Sequence, residues 1–333
     1  MQVFVVLRLI VRFGSGTAAP HRLSGIMVRS RFPASVWRAL ILGALMLAAA
    51  PATGNDAPRL SDPNERIART DLTGLLRLRF LTSLDFPPFN FADPERRPAG
   101  FNVEIARALC AELGIEAKCE IQAMPWEELD PALDGLRGEA IIAGHGVTAE
   151  LRETRAVSAP YFRFPARFVA RSDFAPSSND MTRLVVGKKV AVVRDSAHAA
   201  MLKAWFPDAV PVELGSPAET YDALTDGEVD LIFGDGVGLS FWLASPKAEA
   251  CCSFVSGPYM SDRFLGPGMA IVMRKDAARL IPVINSALGA LEEKGVYQEI
   301  FTRYFPLSPF ADGIAPPPSA SPKGQAERPE QSG

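Results

Sequence analysis

The sequence predicts an α/β protein made of two lobes, and three observations lead to this prediction. First, 333 residues, of which 48% are hydrophobic and 22% charged, exceed one small core and suit two linked domains. Second, short apolar runs alternate with segments of helical spacing across 78–310. Third, two extended stretches, 166–171 and 269–273, bracket a block that has its own strand–helix alternation. A chain that crosses twice between lobes leaves a ligand cleft between them.

The elements are predicted from local patterns. Apolar runs bounded by polar or turn residues predict strands, and they read RLRFLTS, KCEIQ, EAIIAG, KKVAVV, VPVEL, VDLIFG and MAIVM. Asn102 is placed to cap a helix that Gly114 ends, and Asp276 to cap a second helix that Gly295 ends. A last helix stops before Pro306. Each lobe is therefore expected to be a sheet flanked by helices, and the lobes are expected to be joined by two hinge strands.

The predicted domain organisation follows from these elements and from changes in composition. It consists of a targeting segment at 1–52, an amino-terminal extension at 53–77, the first part of lobe 1 at 78–168, lobe 2 with its hinges at 169–265, the second part of lobe 1 at 266–310, and a tail at 311–333. The tail is rich in Pro, Ser and Gly and lacks apolar periodicity, so we expect it to be disordered.

The amino-terminal segment has the order of a secretory signal. Residues 1–52 contain six Arg and no acidic residue, and an apolar run at 39–50 is followed by Ala50-Pro51-Ala52. A membrane helix is the alternative, but this run is shorter than the roughly twenty residues that a bilayer span requires. We expect cleavage after Ala52 and a periplasmic protein. The sequence leaves open whether the true start is Met1 or Met27.

Charge and composition exclude several functions. The part at 53–333 holds 29 basic and 38 acidic residues, and this acidic balance argues against nucleic-acid binding. Four Cys exclude a disulfide-dense scaffold, and only His145 and His198 lie outside the targeting segment, which makes a zinc enzyme improbable. We expect no metal and no cofactor.

The landmarks along the chain resemble those of the periplasmic solute-binding proteins of family 3, the polar amino acid type that serves ABC importers. The opening signature of that family is matched by Phe86-Pro87-Pro88-Phe89 and by Gly100-Phe101-Asn102-Val103-Glu104. Further matches are Ala143-Gly144, Thr148-Ala149-Glu150, Ser158-Ala159-Pro160-Tyr161, Gly187-Lys188-Lys189-Val190, Gly257-Pro258-Tyr259 and Gly295-Val296-Tyr297. The resemblance implies the type II periplasmic binding protein fold and covers nearly the whole mature body.

The resemblance also implies the ligand contacts of lobe 1. It assigns Phe86 and Trp126 to aromatic walls that clasp the ligand, with Ser83, Gly144 and Gly146 on the neighbouring loops. Both aromatic residues could instead belong to the core. Gly146 stands where the family often has a hydroxyl residue.

The carboxylate contact of the family departs from its pattern in this chain. Leu151 occupies the position of the family's Arg, and Arg152 follows one position later, so a local shift is needed for Arg152 to bind a carboxylate. The alternative for Arg152 is a solvated position on a helix face, with Arg155 and Arg163 as rivals. His145, in the same loop, either tunes selectivity or is an ordinary loop residue.

Two polar contacts are implied for lobe 2. Ser196 precedes a helical segment and could bind a ligand carboxylate, or it could simply cap that helix. Asp235 ends an apolar strand between two glycines and matches the ammonium partner of the family, the alternative being a turn Asp.

The cysteines are treated in two pairs. The resemblance implies a disulfide between Cys110 and Cys119, which export would favour. For the adjacent Cys251 and Cys252 the sequence leaves the state open, since a ring between neighbours is strained and both could remain buried thiols.

The function implied is that of a monomeric extracytoplasmic receptor. It would capture a small polar ligand, an amino acid or analogue, and deliver it to the membrane permease of an ABC importer, without catalytic residues. The alternative is a periplasmic enzyme on the same fold, similar to cyclohexadienyl or arogenate dehydratases. Both functions use one scaffold and differ only in the chemistry of the cleft.

Overall fold

The structure is a computed structural model that describes Ala57 and residues 76–174, 180–248 and 251–311. The expected targeting segment, most of the amino-terminal extension and all but the first residue of the expected tail lie outside these residues. The described chain is α/β with two five-stranded sheets and one small sheet. The predicted fold class is therefore confirmed.

The first sheet is formed by strands from both ends of the described chain. Its strands are β1 (Leu78–Thr82), β5 (Cys119–Ala123), β6 (Ala140–Ile141), β7 (Ala156–Val157) and β13 (Val272–Met273). Their order is β5-β1-β6-β13-β7, in which β1 is parallel to β5 and β6 while β13 is antiparallel to its two neighbours. Leu78 pairs with Cys119 and Phe80 pairs with Ala140, so β5 and β6 run alongside β1 in the same direction.

The second sheet repeats this pattern within the central block. Its strands are β8 (Ala166–Arg171), β9 (Lys189–Val193), β10 (Val210–Leu214), β11 (Leu231–Asp235) and β12 (Cys252–Tyr259). Their order is β10-β9-β11-β8-β12, with β9 parallel to β10 and β11. The small sheet is a meander of β2 (Asp85–Phe86), β3 (Asn90–Ala92) and β4 (Pro98–Ala99).

Helices cover the sheets. They are α1 (Phe101–Glu112), α2 (Trp126–Asp134), α3 (Ala149–Thr154), α4 (Met181–Leu184), α5 (Ala197–Trp205), α6 (Pro217–Thr225), α7 (Gly236–Leu243), α8 (Ile281–Glu293) and α9 (Val296–Tyr304). Two 3₁₀ segments, Glu116–Lys118 and Lys275–Leu280, complete the list for the described residues. None of the helices in this part of the chain is long and apolar enough to cross a bilayer.

The inner strands of both sheets are largely buried on both faces, which explains their mostly apolar sequences, whereas the edge strands β5 and β10 contain exposed residues. Successive residues of β1 alternate, so that Phe80 packs in one cluster and Leu81 in another. In the second sheet, Phe168 and Val169 divide in the same way between two clusters. Each sheet therefore has two hydrophobic cores, one beneath each layer of helices.

The predicted cap at Asn102 is wrong. Helix α1 begins at Phe101 with Gly100 as its N-cap, and no side chain caps it. Gly100 has φ +118° and approaches Phe89 so closely that an added Cβ would lie 2.4 Å from the Phe89 carbonyl oxygen. Asn102 is instead buried and bonds other side chains. At the other end, Gly114 follows the helix with φ +65°, as predicted.

The predicted cap at Asp276 is also wrong. A 3₁₀ segment occupies Lys275–Leu280, and α8 begins only at Ile281 without a side-chain cap. The carboxylate of Asp276 pairs instead with Arg274, at 3.2 Å between Oδ1 and Nε. Gly295 does separate α8 from α9, with a left-handed φ of +75°.

Two disulfides are present. Cys110, at the end of α1, is joined to Cys119, the first residue of β5, with Cα atoms 6.1 Å apart. Cys251 is joined to its neighbour Cys252 at the start of β12, so the state that the sequence left open is a bonded pair. No free cysteine occurs among the described residues.

Candidate functional site

Each sheet places several candidate ligand residues just beyond the carboxyl ends of its parallel strands. Ser83 follows β1 and Gly144 follows β6, and these two strands are parallel neighbours. In the second sheet, Ser196 follows β9 and Asp235 ends β11, which are also parallel neighbours. Crevices at the carboxyl ends of strands are where open α/β sheets bind ligands.

On the first lobe these loops carry an aromatic wall, formed by Phe86, Phe89, Trp126 and His145. The Phe86 ring stacks on that of the buried Phe89, with centroids 4.8 Å apart and planes inclined by 25°. Gly144 leaves room for this ring, since a Cβ there would lie 2.8 Å from Cε1 of Phe86. Gly144 therefore positions Phe86 by having no side chain.

The other half of the aromatic wall is Trp126 stacked on His145. Trp126 is the first residue of α2 and is 42% exposed, and its ring lies 4.5 Å from that of His145 at an inclination of 22°. The Nε2 of His145 lies 3.7 Å from Oδ2 of Asp130. Burial lowers the pKa of His145, and the nearby Asp130 carboxylate only partly opposes this effect. A neutral imidazole is therefore stacked on the Trp126 indole, which is partly open to solvent.

The second lobe contains an acidic pocket, a cavity of about 260 Å³. Its lining comes from the ends of β9 and β11 and from the first turns of α5, α6 and α7: Val193, Ser196, His198, Pro217, Thr220, Tyr221, Ile232, Phe233, Gly234, Asp235, Gly238 and Leu239. These side chains are mostly apolar, and they include one carboxylate and one imidazole. No Lys or Arg is among these lining residues.

Asp235 is the charged group of the acidic pocket. Its carboxylate caps α7 by accepting bonds from the N–H groups of Val237, at 3.2 Å, and Gly238, at 2.9 Å. Burial nevertheless raises the pKa of Asp235, and the two backbone bonds and the field of His198 only partly oppose this effect. The carboxylate is thus held in a place where a partner cation would stabilise its charged form.

His198 lies beside this carboxylate. Burial lowers the pKa of His198, with Asp235 acting in the opposite direction. The Nε2 atom of His198 is buried and has no hydrogen-bond partner. Composition alone offers His198 only as a metal ligand that has too few partners, whereas its position two residues after Ser196 is the sequence signal for this pocket. Tyr221 reaches the pocket from α6, and no local pattern marked it.

The hydroxyl of Ser196 bonds the backbone on both sides of this residue, at the end of β9 and in the first turn of α5. Its oxygen accepts a bond from Ala199 N–H at 3.1 Å, and the hydroxyl donates to the Val193 carbonyl at 2.6 Å. Ser196 therefore lines the acidic pocket and serves as the N-cap of α5.

Ser83 belongs to a buried polar chain. Its hydroxyl accepts a bond from Asn90 Nδ2 at 2.8 Å, and Asn90 Oδ1 accepts one from Asn102 Nδ2 at 2.7 Å. The Tyr161 hydroxyl donates to Asn102 at 2.9 Å. Ser83 is only 1% exposed, so its contribution here is to fix the loop after β1.

Arg152 does not join the other candidates. It is an exposed residue of α3 and lines a larger groove of about 550 Å³ along the edge strand β7. The rest of that groove consists of Arg155, residues 156–160, Lys275, Ala278, Ile281 and Pro282. None of the other seven candidate ligand residues lines it. Gly146 lies in the loop between β6 and α3. It is exposed and forms an isolated β-bridge with Met269.

The two sheets and the acidic pocket together define a two-lobed solute-binding protein. Residues 78–307 match the model of the bacterial extracellular solute-binding proteins, family 3, and the chain belongs to this family. The expected family is confirmed.

Curated relatives are similar over most of their length. The chain is 30% identical to the putative ABC transporter arginine-binding protein 2 of Escherichia coli K12, over 68% of this chain and 90% of that protein. It is 31% identical to the L-arginine-binding protein of Pseudomonas aeruginosa, over 66% of this chain and 84% of that protein. These relatives are binding proteins, so the comparisons do not favour the dehydratase alternative.

Solved structures share the fold. The unliganded, open L-cystine solute receptor of Neisseria gonorrhoeae matches with a TM-score of 0.60 and 19% identity, covering 72% of this chain and 98% of that one. The second substrate-binding domain of GlnP from Lactococcus lactis matches with a TM-score of 0.58 and 14% identity, covering 75% of this chain and 99% of that one. At these identities the likeness establishes the fold alone.

Proposed function

We propose that this chain is an exported receptor that captures a small cationic ligand, an amino acid or analogue, and delivers it to the permease of an ABC importer. The ligand would be held between the aromatic wall of the first lobe and the acidic pocket of the second. The lobes correspond to 78–168 with 266–310 and to 169–265.

The observation that carries this proposal is Asp235 in the acidic pocket. A carboxylate taken out of water is costly unless a cation pairs with it. No Lys or Arg is among the described residues that line the pocket, and the pKa of His198 is lowered, so the imidazole does not supply a positive charge at neutral pH. An ammonium or guanidinium group of a ligand would supply it.

The aromatic wall supports the same class of ligand. The partly exposed Trp126 presents an electron-rich face, and Phe86 presents a second ring that Phe89 holds in place. Such faces attract cations and pack against aliphatic stems. The named functions of the two arginine-binding relatives agree with a cationic ligand.

The remaining parts of the proposal come from sequence and family. The Arg-rich start, the apolar run and Ala50-Pro51-Ala52 support export and cleavage after Ala52. Amino-terminal sequencing of periplasmic material should begin at Thr53, whereas intact residues 39–50 in the membrane fraction would contradict cleavage. We propose a monomer that acts without covalent chemistry, and incubation with prephenate or arogenate should give no turnover.

The binding experiment uses the mature chain, residues 53–333, in calorimetric titrations with cationic, neutral and acidic amino acids and with the corresponding amines. We expect saturable one-site binding of at least one cationic compound. The matched control is Asp235→Asn, which keeps a capping oxygen for α7 but removes the charge. Binding of only neutral or acidic compounds, or undiminished affinity in Asp235→Asn, would refute the cationic ligand.

A further inference from the structure

The groups near the aromatic wall that could hold a ligand carboxylate are missing, paired with carboxylates of the protein, or placed in another groove. A carboxylate enclosed in a closing cleft needs a cation or several converging N–H and O–H donors in place of water. The loop that runs from β6 to α3 is where such groups would meet the ligand on the first lobe. Gly144 and Gly146 contribute no hydroxyl there. The Thr148 hydroxyl oxygen caps α3 by accepting a bond from Leu151 N–H at 3.0 Å.

Leu151 removes the cation from this loop. Its side chain packs against the cluster that contains Leu81, Leu133 and Ile141, on one face of the first sheet. The position is therefore part of the core.

Of the three arginines that follow, two are paired with carboxylates of the protein and one lies in another groove. Arg152 is exposed and lines the groove along β7. Arg155 pairs with Asp130 at 3.0 Å and also with Asp134. Arg163 pairs with Asp262. None of these three guanidinium groups lines the acidic pocket.

Asp235 and His198 present acceptors in the acidic pocket, beside the Tyr221 hydroxyl, which can also donate. Asp235 supplies two carboxylate oxygens, and His198 supplies a buried Nε2 without a partner. A neutral imidazole that carries its proton on Nδ1 offers a lone pair at Nε2. Ammonium and guanidinium groups are donors only, so they match this set. The nearest cation along the chain, Arg194, is exposed and donates to the Glu213 carbonyl at 3.2 Å.

We infer that this cleft selects amines or guanidines that lack a carboxylate, the decarboxylated counterparts of cationic amino acids. The inference rests on the proposed function and narrows its ligand class. The site has a place for one cation and apolar or aromatic surfaces for the rest of the molecule. Among the described side chains at the aromatic wall and in the acidic pocket, the carboxylate of a zwitterion would meet no unpaired cation.

The test compares ligand pairs that differ only by the carboxylate. The mature wild-type chain is titrated calorimetrically with arginine against agmatine and with lysine against cadaverine. We expect the decarboxylated member of at least one pair to bind at least tenfold more tightly. If the amino acid binds equally well or better in each pair that binds, backbone N–H groups at the start of α5 hold the carboxylate and this inference is overturned, while the proposed function stands. Failure of all four compounds to bind would overturn both.

A gain-of-function variant gives an independent readout. Gly146→Ser adds a hydroxyl where an added Cβ meets nothing within 4 Å, so the variant should fold. The double variant Gly146→Ser with Leu151→Arg adds a guanidinium as well. We expect the affinity for arginine to rise relative to that for agmatine, severalfold in the single variant and at least tenfold in the double. If the double variant fails to fold because Leu151 packs against the core, the affinity ratio of the single variant Gly146→Ser alone tests the inference. An unchanged affinity ratio in Gly146→Ser would contradict the inference.

Discussion

At the scale of single residues, Asp235 has two roles that can be separated by substitution. Its oxygens cap α7, and its charge is the one anionic group among the described residues that line the acidic pocket. A cap needs only an acceptor, whereas binding of a cation needs the charge. Asn supplies the first without the second.

We therefore expect Asp235→Asn to weaken binding of a cationic ligand by roughly 2–5 kcal/mol, because the ligand cation is left unpaired in a desolvated site. Its unfolding free energy should be equal to or above that of the wild type, because burial already disfavours the charged carboxylate. Asp235→Ala should also lose roughly 1 kcal/mol of stability with the cap. Calorimetric titration and thermal unfolding measure the two effects.

Phe86→Ala serves as the comparison for this prediction. It removes a stacked ring from the aromatic wall and should weaken binding less than Asp235→Asn does, by roughly 1–3 kcal/mol. A larger loss in Phe86→Ala than in Asp235→Asn would show that stacking, and not charge, dominates the affinity.

His198 makes stability depend on pH in a defined direction. Burial lowers its pKa below the ordinary value of 6.5, so the folded state binds this proton less readily than the unfolded state. The contribution of the neutral His198 to the unfolding free energy is fully present above pH 6.5. It is lost as the pH falls from 6.5 towards the lowered pKa of His198. Asp235, whose pKa is raised from its ordinary value of 3.8, acts in the opposite sense, because its folded state binds a proton more readily than the unfolded state.

We expect His198→Gln to flatten the decline in unfolding free energy between about pH 7.5 and about pH 5, because the unfavourable protonation is removed. Urea unfolding at several pH values measures this pH dependence of the unfolding free energy. His145→Gln is the comparison outside the acidic pocket: burial lowers the pKa of His145 as well, so this variant should flatten the decline in the same direction. A steeper decline in His198→Gln than in the wild type would contradict the assigned pKa direction.

At the scale of elements, the strands were more predictable than the helix starts. Runs such as KKVAVV and VDLIFG are apolar because both faces of a parallel sheet are buried, and this signal is local. Strand β12 escaped prediction because register shifts after Phe254 and Ser256 break its alternation. Asn102 and Asp276 matched the cap rule, but Asn102 bonds distant side chains and Asp276 pairs with Arg274, two residues earlier. The acidic pocket combines the starts of three helices that are distant in sequence, which local patterns cannot reveal.

The cap at Ser196 gives a prediction about the role of this residue. Its hydroxyl donates to the Val193 carbonyl of β9 and accepts from Ala199 N–H of α5. We therefore expect Ser196→Ala to lower the unfolding free energy by roughly 1 kcal/mol and to change ligand affinity less than about threefold. Ser216→Ala is the matched control, because Ser216 caps α6 in the same manner without lining the acidic pocket. A loss of affinity confined to Ser196→Ala would support a direct ligand contact.

At the scale of the whole molecule, the segment after α9 links the two lobes. Leu307 packs against a cluster of the second sheet and Phe310 against a cluster of the first. The buried Arg167 of β8 donates to the Pro309 carbonyl at 3.1 Å and to the Ala311 carbonyl at 2.6 Å. This segment therefore adds a link to the two chain crossings between the lobes.

We expect a chain that ends after Pro306 to unfold at a lower temperature and to sample a wider range of lobe orientations without ligand, because these contacts are lost. Small-angle scattering should give a larger radius of gyration for it. A chain that ends after Ala311 keeps every described contact and should match the wild type. Equal scattering and stability for the two truncations would exclude a linking role for this segment.

The place of the Cys110–Cys119 bond has a consequence for local opening. Strand β5 is at the edge of the first sheet, and β10 occupies the corresponding edge of the second sheet, where no disulfide holds it. Sheet edges are where strands detach first, and amide hydrogens exchange with solvent during such openings. Because β5 is tied to the end of α1, its amides should exchange only in larger openings, whereas those of β10 should exchange when the edge alone opens. Reduction of the bond should make the two edges exchange alike, so hydrogen–deuterium exchange would show which lobe opens first.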